Sequence, residues 1–109
     1  MDYISTRDSK VAAAKFTDIL LMGLAPDGGL YLPAVYPRIT PDLLDAWRTL
    51  LNAQGYAALA AEVVKLFVDD IPPAQIEEVT ARAYRTPVFS TEEIVPVTKL
   101  DEALYIAHL

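Results

Sequence analysis

Met22-Gly23-Leu24-Ala25-Pro26-Asp27-Gly28-Gly29-Leu30-Tyr31-Leu32-Pro33 decides the fold class, because one short run holds a helix end, a tight turn and a strand. Upstream, Phe16, Ile19, Leu20 and Leu24 recur at helical spacing, and Gly23 stands where a helix end often needs a left-handed residue. Pro26, Asp27, Gly28 and Gly29 read as a turn, since proline presets φ and glycine accepts a positive φ. Leu30-Tyr31-Leu32 follows as a short strand stopped by Pro33, which has no N–H to give to a ladder. Residues 2–5 read as another short strand, ended by the polar cluster Ser5-Thr6-Arg7-Asp8 and able to pair with Leu30–Leu32. Helix and strand alternate here, so the chain reads as α+β.

Further along, helices dominate. Thr40-Pro41-Asp42 is a helix start: a hydroxyl to cap, a proline whose missing N–H costs nothing there, and an acid facing the positive helix end. The spacing predicts a helix to Gly55 with Leu43, Leu44, Trp47, Leu50 and Leu51 on one apolar face. A second is expected over about 56–68 with Leu59, Val63, Leu66 and Phe67 inward, ended by Asp69-Asp70 and Pro72-Pro73. Pro73 opens a third, with Ile76, Val79 and Ala83 inward; Glu77 and Glu78 near its start and Arg82 and Arg85 near its end complement the helix dipole. Pro87 marks its limit. These stripes predict a mainly helical domain with Trp47 and Phe67 buried, completed by one small sheet from N-terminal, central and C-terminal strands.

In the tail the period changes to that of strands. Val95 and Val97, then Leu104, Tyr105 and Ile106, flank Lys99–Ala103 as a hairpin. The run Ala103–Leu109 is apolar at successive positions, the pattern of a strand buried on both sides, and it reaches the last residue with no turn residues or polar tail. The expectation is a chain that stops in mid-structure; the plainer reading is a small domain ending on a strand that covers its own helices.

Composition narrows the function classes. The 109 residues have the size of one domain, 1–109, and 53% of them are hydrophobic, which excludes a disordered tail. Mean hydropathy is +0.26 and the pI is near 4.5. Nine Lys and Arg against fifteen Asp and Glu give a net charge of −6, so the basic footprint of a nucleic-acid binder is missing. Without cysteine there is no disulfide framework, thiolate metal site or cysteine nucleophile, in keeping with a cytoplasmic protein. The first residues lack the basic and apolar regions of a signal peptide, and the longest apolar run, Ile19–Ala25, is interrupted by Gly23 and too short to span a membrane.

No reactive constellation stands out. Gly28-Gly29 lacks the spacing of a nucleotide cradle and reads as a turn. The acidic pairs Asp69-Asp70, Glu77-Glu78, Glu92-Glu93 and Asp101-Glu102 are sequence neighbours, which diverge by about 100° on a helix and to opposite faces of a strand, so they read as solvated charges. His108, the single histidine, excludes a histidine-rich metal site and reads as a packed or rim residue. Ser5-Thr6-Arg7 has the groups to hold a phosphate, against the plainer reading of a capped turn. No residue is assigned a catalytic, cofactor-binding or metal-binding role.

Three segments, in order, resemble one family. Tyr3-Ile4-Ser5-Thr6-Arg7, then Phe16 leading a short helix into Met22–Pro33, and later Ile71-Pro72 with the strand pair ending Leu104–Leu109, are similar to the opening of threonine synthases, pyridoxal-phosphate-dependent enzymes of fold type II. The resemblance covers essentially the whole chain; Asp8 stands where the family usually has glycine. It implies a parent enzyme that converts O-phospho-L-homoserine and water into L-threonine and phosphate, with this chain as its non-catalytic N-terminal domain and the catalytic domain of the same polypeptide as partner. It also implies that the strand at Leu104–Leu109 leads into a Phe-Lys-Asp motif, whose lysine holds pyridoxal phosphate as a Schiff base and which this chain does not contain. None of Lys10, Lys15, Lys65 and Lys99 lies in such a motif, so the chain alone is expected to be inactive and to bind no cofactor. Self-association through the bare C-terminal strand is expected as well. The other reading is a free-standing protein-interaction module that retains this domain.

Overall fold

The computed structural model describes residues 1–7 and 10–109. In chain order it runs β1 (Tyr3–Ser5), α1 (Phe16–Leu20), β2 (Tyr31–Pro33), α2 (Pro41–Gln54), α3 (Tyr56–Lys65), α4 (Pro73–Ala83), β3 (Val97–Lys99) and β4 (Tyr105–Ala107). Mixed helix and strand content bears out the α+β class.

The helix limits follow from the chemistry read in the sequence. Thr40 Oγ1 accepts the Leu43 N–H at 3.3 Å and Pro41 fills the first turn of α2. Gly55, at φ 84°, ends α2 with its N–H on the Leu51 carbonyl at 2.9 Å and starts α3 at the next residue. A positive φ there lets two helices meet at a single residue. Pro72 and Pro73 separate α3 from α4, and Pro73 occupies the first position of α4.

The strands form two separate ribbons where a single sheet was expected. β1 and β2 pair antiparallel with Tyr3 opposite Pro33, Ile4 opposite Leu32 and Ser5 opposite Tyr31. β3 and β4 pair antiparallel with Val97 opposite Ala107, Thr98 opposite Ile106 and Lys99 opposite Tyr105. The physical reason is that the outer edge of β1 is taken by Ala14, whose carbonyl accepts the Tyr3 N–H at 2.9 Å and whose N–H donates to the Tyr3 carbonyl at 3.1 Å, so the C-terminal strands pair with each other instead.

Ala61, Val68 and Ile76 form the core, with Phe16, Val64, Phe67 and Ile71 packed against them. This changes the inward faces read from the helical spacing. In α3 the buried residue is Ala61, while Leu59 and Val63 are half-buried, because the small alanine lets α4 come close. In α4 Val79 is 63% exposed and Ala83 is exposed, whereas Thr80 is buried. Its hydroxyl lies 3.0 Å from the Ile76 carbonyl and 3.1 Å from that of Glu77, so the helix itself satisfies it and the side chain packs like valine. Trp47 and Phe67 are half-buried rather than buried. For Trp47 the reason is that, among the described residues, α2 packs chiefly on α3, along one side.

The core is small for the chain. The accessible surface is 8071 Å², where a compact monomer of this mass has about 6,000 Å². The radius of gyration is 16.7 Å, against about 13 Å for a compact domain of this length. Much apolar surface is therefore left uncovered, including Leu21, Met22, Leu24, Leu30, Val35 and Leu104, each more than half exposed.

Candidate functional site

The sequence segments singled out on either side of α1 meet at one junction. Alternation along β1 turns Tyr3 and Ser5 inward, each 7% exposed, and leaves Ile4 outward. The Tyr3 hydroxyl donates to the Phe67 carbonyl at 2.8 Å and its ring lies 6.1 Å from that of Phe16, which ties β1 to the core. Burial, reinforced by the negative charge of Asp70, pushes the Tyr3 phenol above its ordinary pKa.

Ser5 carries the junction itself. Its hydroxyl lies 2.9 and 2.8 Å from the two carboxylate oxygens of Asp27 and accepts the Arg7 N–H at 3.2 Å. Asp27 Oδ1 also accepts the Gly29 N–H at 2.9 Å, an Asx turn that sets the bend. The Gly28 N–H reaches the Ala25 carbonyl at 2.8 Å with Gly28 at φ 77°, the conformation for which glycine suits this position. Thr6 closes the other side: its N–H donates to the Leu30 carbonyl and its Oγ1 accepts the Leu30 N–H, both at 2.9 Å. Arg7 Nη1 donates to the Asp27 carbonyl at 3.3 Å. Gly29 is the contact point: a Cβ there would overlap Ser5 Oγ and lie 3.0 Å from Asp27 Oδ1 and 3.1 Å from Thr6 Oγ1.

Such an arrangement fastens two segments of the chain to each other. The Ser5 and Thr6 hydroxyls are engaged within the chain, as they would be in a capped turn. The backbone departure noted at Asp8 lies outside the described residues. Sequence reasoning found both segments but missed their contact, and the acceptor in Asp27 and the small residue in Gly29 were the available signals.

The other candidates disperse. His108 is exposed at the rim of the β3–β4 ribbon, its Nε2 2.9 Å from Thr98 Oγ1. Lys15 pairs with Asp2 at 2.8 Å, and that hydrogen bond holds its ammonium above the ordinary lysine range. Lys65 lies 2.6 Å from carboxylate oxygens of both Glu62 and Glu77; Glu62 first, then Glu77, raise its pKa. Lys99 stands on the exposed hairpin, 5.8 Å from the Tyr105 ring centroid. Asp70 Oδ2 accepts the Thr17 N–H at 2.8 Å and lies 2.7 Å from the Thr17 hydroxyl, and these bonds lower its pKa. Among the described residues no group of three His, Cys, Asp or Glu is placed to hold a metal ion, and no helix is long and apolar enough to cross a membrane. An apolar groove between α1, α3 and α4 is walled by Phe16, Leu20, Val64, Val68, Ile71 and Val79, with Gln75, Thr80 and Tyr84 also in its lining.

These features define a small α+β domain in which a polar cluster joins β1 to the turn that precedes β2. The family model described as "Threonine synthase N terminus" matches residues 2–84, and the chain belongs to that family. It is 61% identical over 109 residues to a threonine synthase of Corynebacterium glutamicum, covering 100% of this chain and 23% of that protein. A threonine synthase of Methylobacillus glycogenes is 40% identical, again over 100% of this chain and 23% of its own length. The pyridoxal-phosphate-bound crystal structure of a Brucella melitensis threonine synthase superposes with a TM-score of 0.82 at 35% identity, covering 98% of this chain and 22% of that one. The chain thus spans under a quarter of the length of these relatives.

Proposed function

We propose that this chain is the non-catalytic N-terminal domain of a threonine synthase, a cytoplasmic enzyme of threonine biosynthesis that converts O-phospho-L-homoserine and water into L-threonine and phosphate. The observation that carries the reading is coverage: similarity runs along all of this chain and along only 23% of the Corynebacterium and Methylobacillus relatives. In the full-length enzyme pyridoxal phosphate supplies an electron sink. The lysines described above do not fit that group. A Schiff-base lysine needs a desolvated or otherwise activated amine, whereas Lys15 and Lys65 are paired with carboxylates that raise their pKa and Lys99 is exposed. The domain's task is support: the Ser5–Asp27 junction stiffens one end, and the open apolar surface receives the catalytic part of the same polypeptide. Taken alone, the chain is inactive and associates with a second copy through the β3–β4 ribbon, whose edges are unpaired.

Two measurements test this. The free chain is expected to release no phosphate from O-phosphohomoserine and to give no lysine-dependent absorbance band with pyridoxal phosphate. Grafted in place of the matching N-terminal segment of the Corynebacterium glutamicum relative, it is expected to yield an active threonine synthase. A folded but inactive graft, or phosphate release by the free chain, overturns the reading.

A further inference from the structure

The β1–β2 ribbon carries apolar side chains on both of its faces, with Ser5 the polar member of the inner one. Its inner face turns Tyr3 toward the core, with Tyr31 and Pro33 half-buried on the facing strand. On its outer face Ile4 and Leu32 are register partners, 39% and 41% exposed, and Leu30, two residues before Leu32 and so on the same side, is 57% exposed. A solvent-facing ribbon surface is ordinarily polar, and alternation offered polar residues these positions at no cost to the inner face. Contiguous apolar surface of this kind marks a contact.

We infer that this outer face, Ile4 with Leu30 and Leu32, is a docking surface for the catalytic part of the same polypeptide; the inference rests on the proposed function and adds where the contact lies. Two observations favour that occupant over a second copy. The accessible surface of the whole chain exceeds that of a compact monomer by about 2,000 Å², which leaves room for a permanent interface rather than a transient one. The same fold recurs, at a TM-score of 0.82, inside a chain of which it forms 22%, so an intramolecular cover is available. Tethered surfaces meet at effective concentrations on the order of millimolar, above those at which separate copies encounter each other.

Cysteine labelling tests this, helped by the absence of native cysteine from the chain. Leu32→Cys and, as a reference, the exposed charged position Arg48→Cys are introduced into the free chain and into the graft with the Corynebacterium relative. Maleimide labelling is then read by mass spectrometry on the peptide that carries each position. Thiol reactivity follows access, so Leu32→Cys is expected to label on the order of tenfold more slowly in the graft than in the free chain, with Arg48→Cys labelling alike in both. An active graft in which Leu32→Cys labels as fast as in the free chain overturns the docking site and leaves the proposed function standing. A folded, inactive graft overturns the proposed function. Protection of Leu32→Cys that rises with concentration of the free chain makes a second copy the occupant and overturns the inference.

Discussion

Two ribbons of equal length behave in opposite ways. β1–β2 and β3–β4 each pair three residues with three, yet Tyr3 and Ser5 are shielded while every residue of β3 and β4 is exposed. Both carry apolar side chains, so composition does not separate them. What separates them is a second layer: β1 lies over Phe16 and the carbonyl of Phe67, and Asp27 fastens it to the turn that feeds β2. No residue of β3 or β4 is shielded in that way. A two-stranded ribbon is marginal in water by itself, and burial of one face is what makes it persist.

The largest effect that would sharpen this contrast comes from Gly29→Ala. The new Cβ overlaps Ser5 Oγ and breaks the junction, at an expected loss of about 2–4 kcal/mol measured as a fall in urea midpoint. Gly23→Ala is the control: at φ 74° with nothing within 4 Å of an added Cβ, it bears only left-handed strain, about 1–2 kcal/mol. Equal losses for the two would show that the close approach at Gly29 is unimportant.

Ser5→Ala removes the donor to Asp27 without crowding, and about 1–3 kcal/mol of stability should go with it. On the other ribbon, Ile106→Lys should leave the unfolding midpoint within about 0.5 kcal/mol, since the side chain is exposed. It should weaken self-association by about tenfold, roughly 1.4 kcal/mol, in sedimentation over a concentration series. A monomeric wild type, or an unchanged variant, would break the contrast on that side.

The smallest effect concerns acid. The pKa of Asp70 is lowered from 3.8, first by the Thr17 hydroxyl and then by the Thr17 N–H, and that of Asp2 is lowered chiefly by its bond to Lys15. Groups whose folded pKa is depressed contribute stability above their unfolded value and lose it as pH falls through the folded one. Stability should therefore decline below about pH 4, and Asp70→Asn should flatten that decline while slightly lowering the midpoint at neutral pH. An acid limb identical in wild type and Asp70→Asn would remove Asp70 from the account.

Local signals were legible where a single residue type forces a backbone state. Thr40 with Pro41, Gly55, Pro73 and the turn at Pro26–Gly29 set their element limits through capping, fixed φ or freedom at positive φ, none of which needs a distant partner. The α+β class, the pairing of residues 2–5 with the strand after Leu30 and the C-terminal hairpin followed from the same cues, though not their division into two sheets. Which face turned inward did not. Thr80 displaced Val79 because a helix carbonyl satisfies its hydroxyl, and Ala61 displaced Leu59 and Val63 because only a small side chain allows α4 to approach. Periodicity gives a stripe's width, but the phase within it depends on what packs opposite.

The sequence by itself determined the element types and the family, since caps, turns and motif residues act within a few positions. Only the tertiary structure decided that Ser5 meets Asp27 across 22 positions, that Gly29 must lack a Cβ, and that the strands divide into one covered and one bare ribbon. Those outcomes depend on contacts between segments far apart in the chain, where burial and steric fit, not local backbone preference, set the energy.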